Sequence, residues 1–353
     1  MTLNNIHIQR NSSHELLRIL AMFYIVWYHL LAYYLYVFPH DGLSDFMIEA
    51  TMPSLHIGVI VFILISGFYG IKPSIKGFSK LLIITMVYFI PLQFAHLIID
   101  DRLSHPKAIL NTIMFISNTP YWFIRTYLYL YLCAPLVNAY IRLSSQKQLN
   151  AILIVIGIIA VYFGTTQGDT SLNDGKNLVN FIFLYLLGYT IKYYLPQLHK
   201  VKRIYYLIAF LILNAGLVIS LLFFPRGTFV GNEIWRFSFP YCSPILIFNA
   251  SLLFLVFSGM SFYSKYVNSI AASMFAVYLL HCHPMVIDLY QPEVSKIISK
   301  SILDIYALSA VYAFLIMGIS ILIDKVLIPF GCIETKYVIC YKIDLKDEAI
   351  CHI

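Results

Sequence analysis

Charge is what this sequence has least of. Asp, Glu, Lys and Arg make up 12% of its 353 residues, against roughly 25% in an ordinary soluble domain. Hydrophobic residues make up 60%, and the mean hydropathy is +0.78. So little polar surface cannot cover a water-soluble core of this size, which excludes soluble enzyme folds. The six cysteines (Cys133, Cys242, Cys282, Cys332, Cys340 and Cys351) form no CxxC pair and no zinc-type spacing. Neither a disulfide framework nor a metal site is expected from them. No small-residue cleavage site follows the first apolar stretch, so that stretch is expected to stay as a span. Repeats, low-complexity linkers and a soluble domain are missing as well.

Long apolar runs take their place. Segments able to cross about 30 Å of hydrocarbon lie near 16–38, 55–71, 80–99, 121–141, 150–166, 178–194, 204–224, 241–260, 270–290 and 305–323. The expected fold class is therefore all-α: a polytopic membrane protein with about ten transmembrane helices. Residues 1–15 would form an N-terminal segment, 16–330 the transmembrane domain and 331–353 a tail. The segment 107–117 is apolar but too short to span.

The connections alternate in charge. Lys72, Lys76 and Lys80, then Arg142 and Lys147, then Lys192, Lys200, Lys202 and Arg203, then Lys265 fall on one side. The first connection on the other side carries Asp41, Asp45 and Glu49 and no Lys or Arg. Counted over the connections, about 10 basic residues in about 38 positions face one side, and about 7 in about 80 face the other. The bias puts both termini in the cytosol and accounts for most of the net charge of +7 without a nucleic-acid partner.

Charges inside spans cost at least about 2.5–3.5 kcal/mol and so mark candidate sites. Arg18 and His29 are 11 residues apart on the first span. That spacing turns about 1100°, which returns to within about 20° of one face, and rises about 16.5 Å. An imidazole at that depth suits a general base or a proton relay; the bland alternative is a snorkelling arginine and a hydrogen-bonded packing histidine. Ser66 and Gly67 would let the second span approach a neighbour closely. Lys72, Lys76 and Lys80 in the loop after it could hold phosphates or act only as a topogenic basic loop. Tyr121 and Trp122 fit an outer aromatic belt, and Arg125 one turn deeper calls for an acidic or ligand partner. In the ninth span His281 and His283 stand at i and i+2, on different faces of a helix, which argues against chelation by that pair. Pro284 frees backbone groups there, and one histidine could simply bond them.

Together these segments resemble the acyltransferase-3 family of integral membrane O-acyltransferases. Arg18 and His29 match its Arg-x10-His signature, and Val61 to Phe68 (VFILISGF) resembles its FFxxSGF element. PYWFIRTYLYLYLCAPL resembles its tryptophan-led segment, and SMFAVYLLHCHPMV its YLxHxP-type element. The similarity runs in order from Arg18 to Val286. Two positions depart from it: only Lys80 stands where relatives carry an arginine-rich run, and Tyr127 stands where many carry a glutamate. The resemblance implies transfer of an acyl group, usually acetyl from acetyl-CoA, to a hydroxyl of a surface glycan or its lipid-linked oligosaccharide precursor. It implies no bound cofactor and a catalytic His29 joined by Arg18, which helps hold the donor; Ser66, Lys72, Lys76 and Lys80 are further donor-binding candidates. Trp122, Arg125, Tyr127, His281 and His283 would then support the acceptor or the structure. The rival readings are a transporter or flippase of a lipid-linked glycan and a non-catalytic partner in polysaccharide assembly.

Overall fold

The structure, a computed structural model, describes residues 11–37, 43–100, 106–114, 121–166, 170–298 and 301–327. Among these residues every regular element is helical, with no strand. Helix α1 (Ser13–Val37) is followed by α2 (Leu43–Leu55), α3 (Gly58–Tyr69), α4 (Ile75–Ile99), a short α5 (Pro106–Ile113) and α6 (Trp122–Leu143). Helix α7 (Gln146–Gly157) runs on as π-helix to Thr166, and α8 (Leu178–Leu198), α9 (Arg203–Phe223) and α10 (Phe229–Ser238) come next. The last helices among the described residues are α11 (Pro244–Ser258), α12 (Lys265–Ala272), α13 (Met274–His281), α14 (Pro284–Ile298) and α15 (Ile302–Leu327).

Among the described residues seven helical stretches are long and apolar enough to cross a membrane: Ser13–Tyr36, Ser44–Tyr69, Ile75–Ile99, Gln146–Thr166, Leu178–Leu198, Arg203–Phe223 and Ile302–Leu327. The other three expected spans are helical but differ in kind. Helix α6 has the length, 22 residues, yet carries four tyrosines, Asn138 and two arginines. Helix α11 is apolar but has only 15 residues. The ninth breaks at Pro284, where Lys265–His281 and Pro284–Pro292 meet at 82°.

Two sequence-based boundaries also move. Helix α1 begins at Ser13, so His14 and Glu15 lie inside it rather than in a polar leader. The second span extends back through α2, so Asp45 and Glu49 are helical rather than part of an outer loop. Asp45 sits in the first turn of α2, where the positive end of the helix dipole favours an acid; Glu49 pairs with Arg226 at 3.7 Å. The segment 331–353, with Cys332, Cys340 and Cys351, lies outside the described residues.

Helix α1 is the shared wall of two apolar cores. One packs its Met22, Val26, Leu30 and Leu31 with residues of α4, α6, α13 and α15. The other packs Leu17 and Ala21 with α3, α8 and α11. The α3–α8 seam is closest where glycine allows it: a Cβ at Gly67 would run into the Tyr185 carbonyl, and one at Gly188 into the Leu64 carbonyl. Small residues at such crossings let backbones touch.

The basic connections gather at one end of this bundle, beside the start of α1. His14 bonds the Tyr69 hydroxyl at 2.6 Å, next to the loop that carries Lys72. Asn11 donates to the Met260 carbonyl at 2.9 Å, near Lys265. The Tyr131 hydroxyl accepts from the Ser74 N–H at 3.1 Å, which brings α6 to the same loop.

A valine at Gly67 has no room against α8, so Gly67→Val should destabilise the fold by about 1–3 kcal/mol or more. Gly318→Ala, where nothing lies within 4 Å of the added carbon, should be neutral or stabilising. Thermal unfolding midpoints of the two variants in detergent check the contrast; equal shifts would contradict the seam.

Candidate active site at the α13–α14 break

Pro284 has no N–H to give to the Leu280 carbonyl, so the α-helical ladder cannot continue through it. The His283 N–H takes that carbonyl instead, at 3.2 Å, and the axis turns. His281 is therefore the last residue of one helix, and Cys282 follows it in the turn. Both side chains reach α1. His281 Nε2 lies 3.1 Å from His29 Nδ1 and 3.2 Å from Cys282 Sγ, and Sγ is 3.8 Å from His29 Nδ1.

The protons in this group follow from one contact. His281 Nδ1 is 2.7 Å from the Val277 carbonyl, which can only accept, so Nδ1 carries the hydrogen. In a neutral imidazole the other nitrogen is then an acceptor, and His281 Nε2 presents its lone pair to His29. His29 must donate through Nδ1, which leaves the lone pair of its ring on Nε2. The chain of bonds from Val277 through His281 thus fixes which nitrogen of His29 can take a proton.

Aromatic residues hold the pair. The Tyr121 hydroxyl donates to the Leu279 carbonyl at 2.6 Å, and the Tyr290 hydroxyl to the His281 carbonyl at 3.3 Å, so both bond the helix end that carries His281. Tyr28 lies against His29 and stacks on His56 at 4.7 Å. His56 is sandwiched further by Phe239 at 4.3 Å and donates from Nδ1 to the Phe239 carbonyl at 2.8 Å.

About 16.5 Å further along α1, Arg18 is 3% exposed. Its Nη1 donates to both carboxylate oxygens of Glu15, at 2.8 and 2.9 Å. A snorkelling arginine is excluded by this burial. Near it Ser66 on α3 and Tyr127 on α6 meet hydroxyl to hydroxyl at 3.4 Å, and Arg18 acts electrostatically on the Tyr127 hydroxyl. Three helices thus meet around Arg18.

A family model described as an acyltransferase domain, acyltransferase-3, matches residues 11–324, nearly the whole chain. The chain belongs to the acyltransferase-3 family. It is a multi-pass membrane acyltransferase. Comparison with curated proteins and with solved structures found no match.

The remaining candidate residues of this acyltransferase divide clearly. Lys72 is exposed in the loop between α3 and α4, whose backbone is pinned, whereas Lys76, exposed, and Lys80, partly buried, stand in the first two turns of α4 rather than in the expected loop. The Ile71 N–H donates to the Tyr185 hydroxyl at 2.8 Å and Asn138 donates to the Ile71 carbonyl at 2.7 Å. His283 parts from His281: its Nδ1 accepts the Met285 N–H at 3.2 Å, which satisfies a backbone group at the start of α14. Trp122 and Tyr121 do not form an outer belt. Tyr121 is fully buried, and Trp122 packs on Tyr241 at 5.1 Å with Lys176 Nζ 5.7 Å from its ring centroid. Arg125 is half-buried, and its side chain makes no hydrogen bond or ion pair among the described residues. Glu15, His56 and Cys282 were missed by sequence reasoning. Glu15 lies three residues before Arg18, a spacing that places two side chains on one helix face, so it was within reach of the same logic.

Removing one partner of a buried ion pair leaves an uncompensated charge, at a cost of on the order of 3–5 kcal/mol. Glu15→Gln should therefore lower the thermal unfolding midpoint sharply, and Glu15→Gln with Arg18→Met should lower it less. A single variant as stable as wild type in detergent would show the pair contributes nothing.

Proposed function

We propose that this acyltransferase moves an acetyl group from cytosolic acetyl-CoA to a hydroxyl of a cell-surface polysaccharide or its lipid-linked precursor, across the plasma membrane of a bacterial cell. The observation that carries the reading is the Val277–His281–His29 chain of hydrogen bonds, which leaves His29 Nε2 as an oriented base. His29 Nε2 takes the proton of the acceptor hydroxyl. The alkoxide oxygen attacks the thioester carbonyl, the carbon–sulfur bond to CoA breaks, and the CoA thiolate leaves with the proton from the imidazolium. His281 accepts from His29 Nδ1–H throughout, so it positions the base and offers a lone pair to the charged ring. A third group that orients the base is the recurring logic of such sites.

The donor enters from the end where the basic connections gather. Lys72, Lys76 and Lys80 meet the anionic CoA phosphates, and the pantetheine arm follows α1 from Arg18 toward His29. Arg18, already paired with Glu15, carries no net charge surplus with it, so with Ser66 and Tyr127 it orients the donor rather than attracting it. The acceptor comes from the opposite side. No nucleic acid or bound cofactor is needed for this chemistry.

The test is the mass of the surface polysaccharide from cells carrying wild-type protein or His29→Ala at equal membrane levels. An acetyl-sized increment present in wild type and lost in the variant is expected. Identical masses with exported glycan would overturn the acetyl or the glycan assignment, and loss of glycan from the surface would favour a flippase.

A further inference from the structure

We infer that His29 Nδ1, His281 Nε2 and Cys282 Sγ form a binding site for a divalent cation of the zinc type, with one coordination position left open. The objection to chelation drawn from sequence concerned His281 with His283, two residues on one chain segment. The structure replaces His283 with His29 from α1 and adds the thiol between the two histidines. All three donor atoms lie within 4.8 Å of one another.

The spacing is that of a coordination face. Zinc bonds of about 2.0–2.1 Å to nitrogen and 2.3 Å to sulfur at tetrahedral angles hold two nitrogens about 3.4 Å apart, and nitrogen and sulfur about 3.6 Å apart. The observed separations are 3.1 Å between nitrogens and 3.2 and 3.8 Å from sulfur to each nitrogen. Each falls within about 0.4 Å of those values. The surroundings fit as well. A ligating histidine usually gives its other ring N–H to a carbonyl or carboxylate, which fixes its tautomer; His281 Nδ1 does this with the Val277 carbonyl at 2.7 Å. His281 is buried, while His29 and Cys282 are partly buried, so one side of the cluster stays approachable. Nitrogen and thiolate donors select zinc-like ions over magnesium or calcium.

Occupation changes the chemistry of His29. Cys282 releases its proton as the thiolate binds. As the metal takes Nδ1 of His29, the single proton of the ring moves from Nδ1 to Nε2, whose lone pair it occupies. An Nε2–H is a donor and cannot act as a base. Cation binding and acyl transfer are therefore mutually exclusive, a consequence that rests on the function proposed above, whereas the site itself does not.

The probe is Co(II), titrated into the full-length protein in nanodiscs, purified without a histidine tag. A thiolate-to-cobalt charge-transfer band saturating at one ion per chain is expected. It should persist when Cys133, Cys332, Cys340 and Cys351 are all replaced by Ser. It should vanish in Cys282→Ala, and His281→Ala should weaken cobalt binding at least tenfold. Helical circular dichroism on the variants guards against misfolding, and His281→Gln supplies a second, gentler variant. No band, or one that survives Cys282→Ala, overturns the site. Zinc should also stop acetyl transfer and a chelator should restore it; undiminished transfer in zinc-saturated protein overturns the exclusion. A cobalt band as expected, with no transfer from metal-free wild type, would leave the site standing and sink the acetyltransferase reading. Transfer without a band does the reverse.

Discussion

The contact between His29 on α1 and His281 at the end of α13 is the interaction on which the rest of the arrangement depends. It exists because Pro284 ends one helix and starts another at 82°, which brings a helix terminus, with its turned-out side chains, against the middle of α1. A straight ninth helix would send His281 and Cys282 to different sides. The Val277 carbonyl then sets the proton positions by geometry alone. Lys176 acts on His29 electrostatically, but it is the orientation of the two rings that decides which nitrogen of His29 can take a proton.

The bundle is built to hold that contact still. Helix α1 belongs to both apolar cores, so it cannot shift toward one without opening the other. Tyr121 and Tyr290 bond carbonyls at the end of α13 from two further helices. On the other side, glycine at the α3–α8 seam lets backbones come within van der Waals contact, and His14 joins α1 to α3 and α11 through Tyr69 and Ser258. Interiors packed this closely transmit displacements rather than absorb them. Changes at the seams should therefore be felt at the histidine pair.

Much of this was legible in the sequence where the signal lies along one helix. The return of Arg18 and His29 to a single face, the close approach at Gly67 and the disruption at Pro284 all follow from helix periodicity and backbone chemistry. What was hidden lies between helices. Nothing in the sequence placed Cys282 beside His29, or Tyr121 under Leu279, because those neighbours come from segments more than 150 residues apart. The span count also blurred, for a physical reason: α6 turns Tyr127 toward Ser66 of α3 and Tyr131 toward Ser74 after it, α11 is short, and the ninth helix is bent. Hydropathy reads exposure to lipid, and these three segments are shaped by contacts with protein.

The central claim is that His29 and His281 act as one unit, and a double-mutant cycle on acetyl transfer measures that most directly. Initial rates would be compared for wild type, His29→Ala, His281→Ala and the double variant, at matched protein levels in proteoliposomes. Residues acting as a unit are strongly non-additive. The expected result is a double variant no slower than His29→Ala alone, since a positioning residue has no effect once its base is gone. Losses that multiply, with the double variant slower by the product of the two single effects, would contradict the dyad.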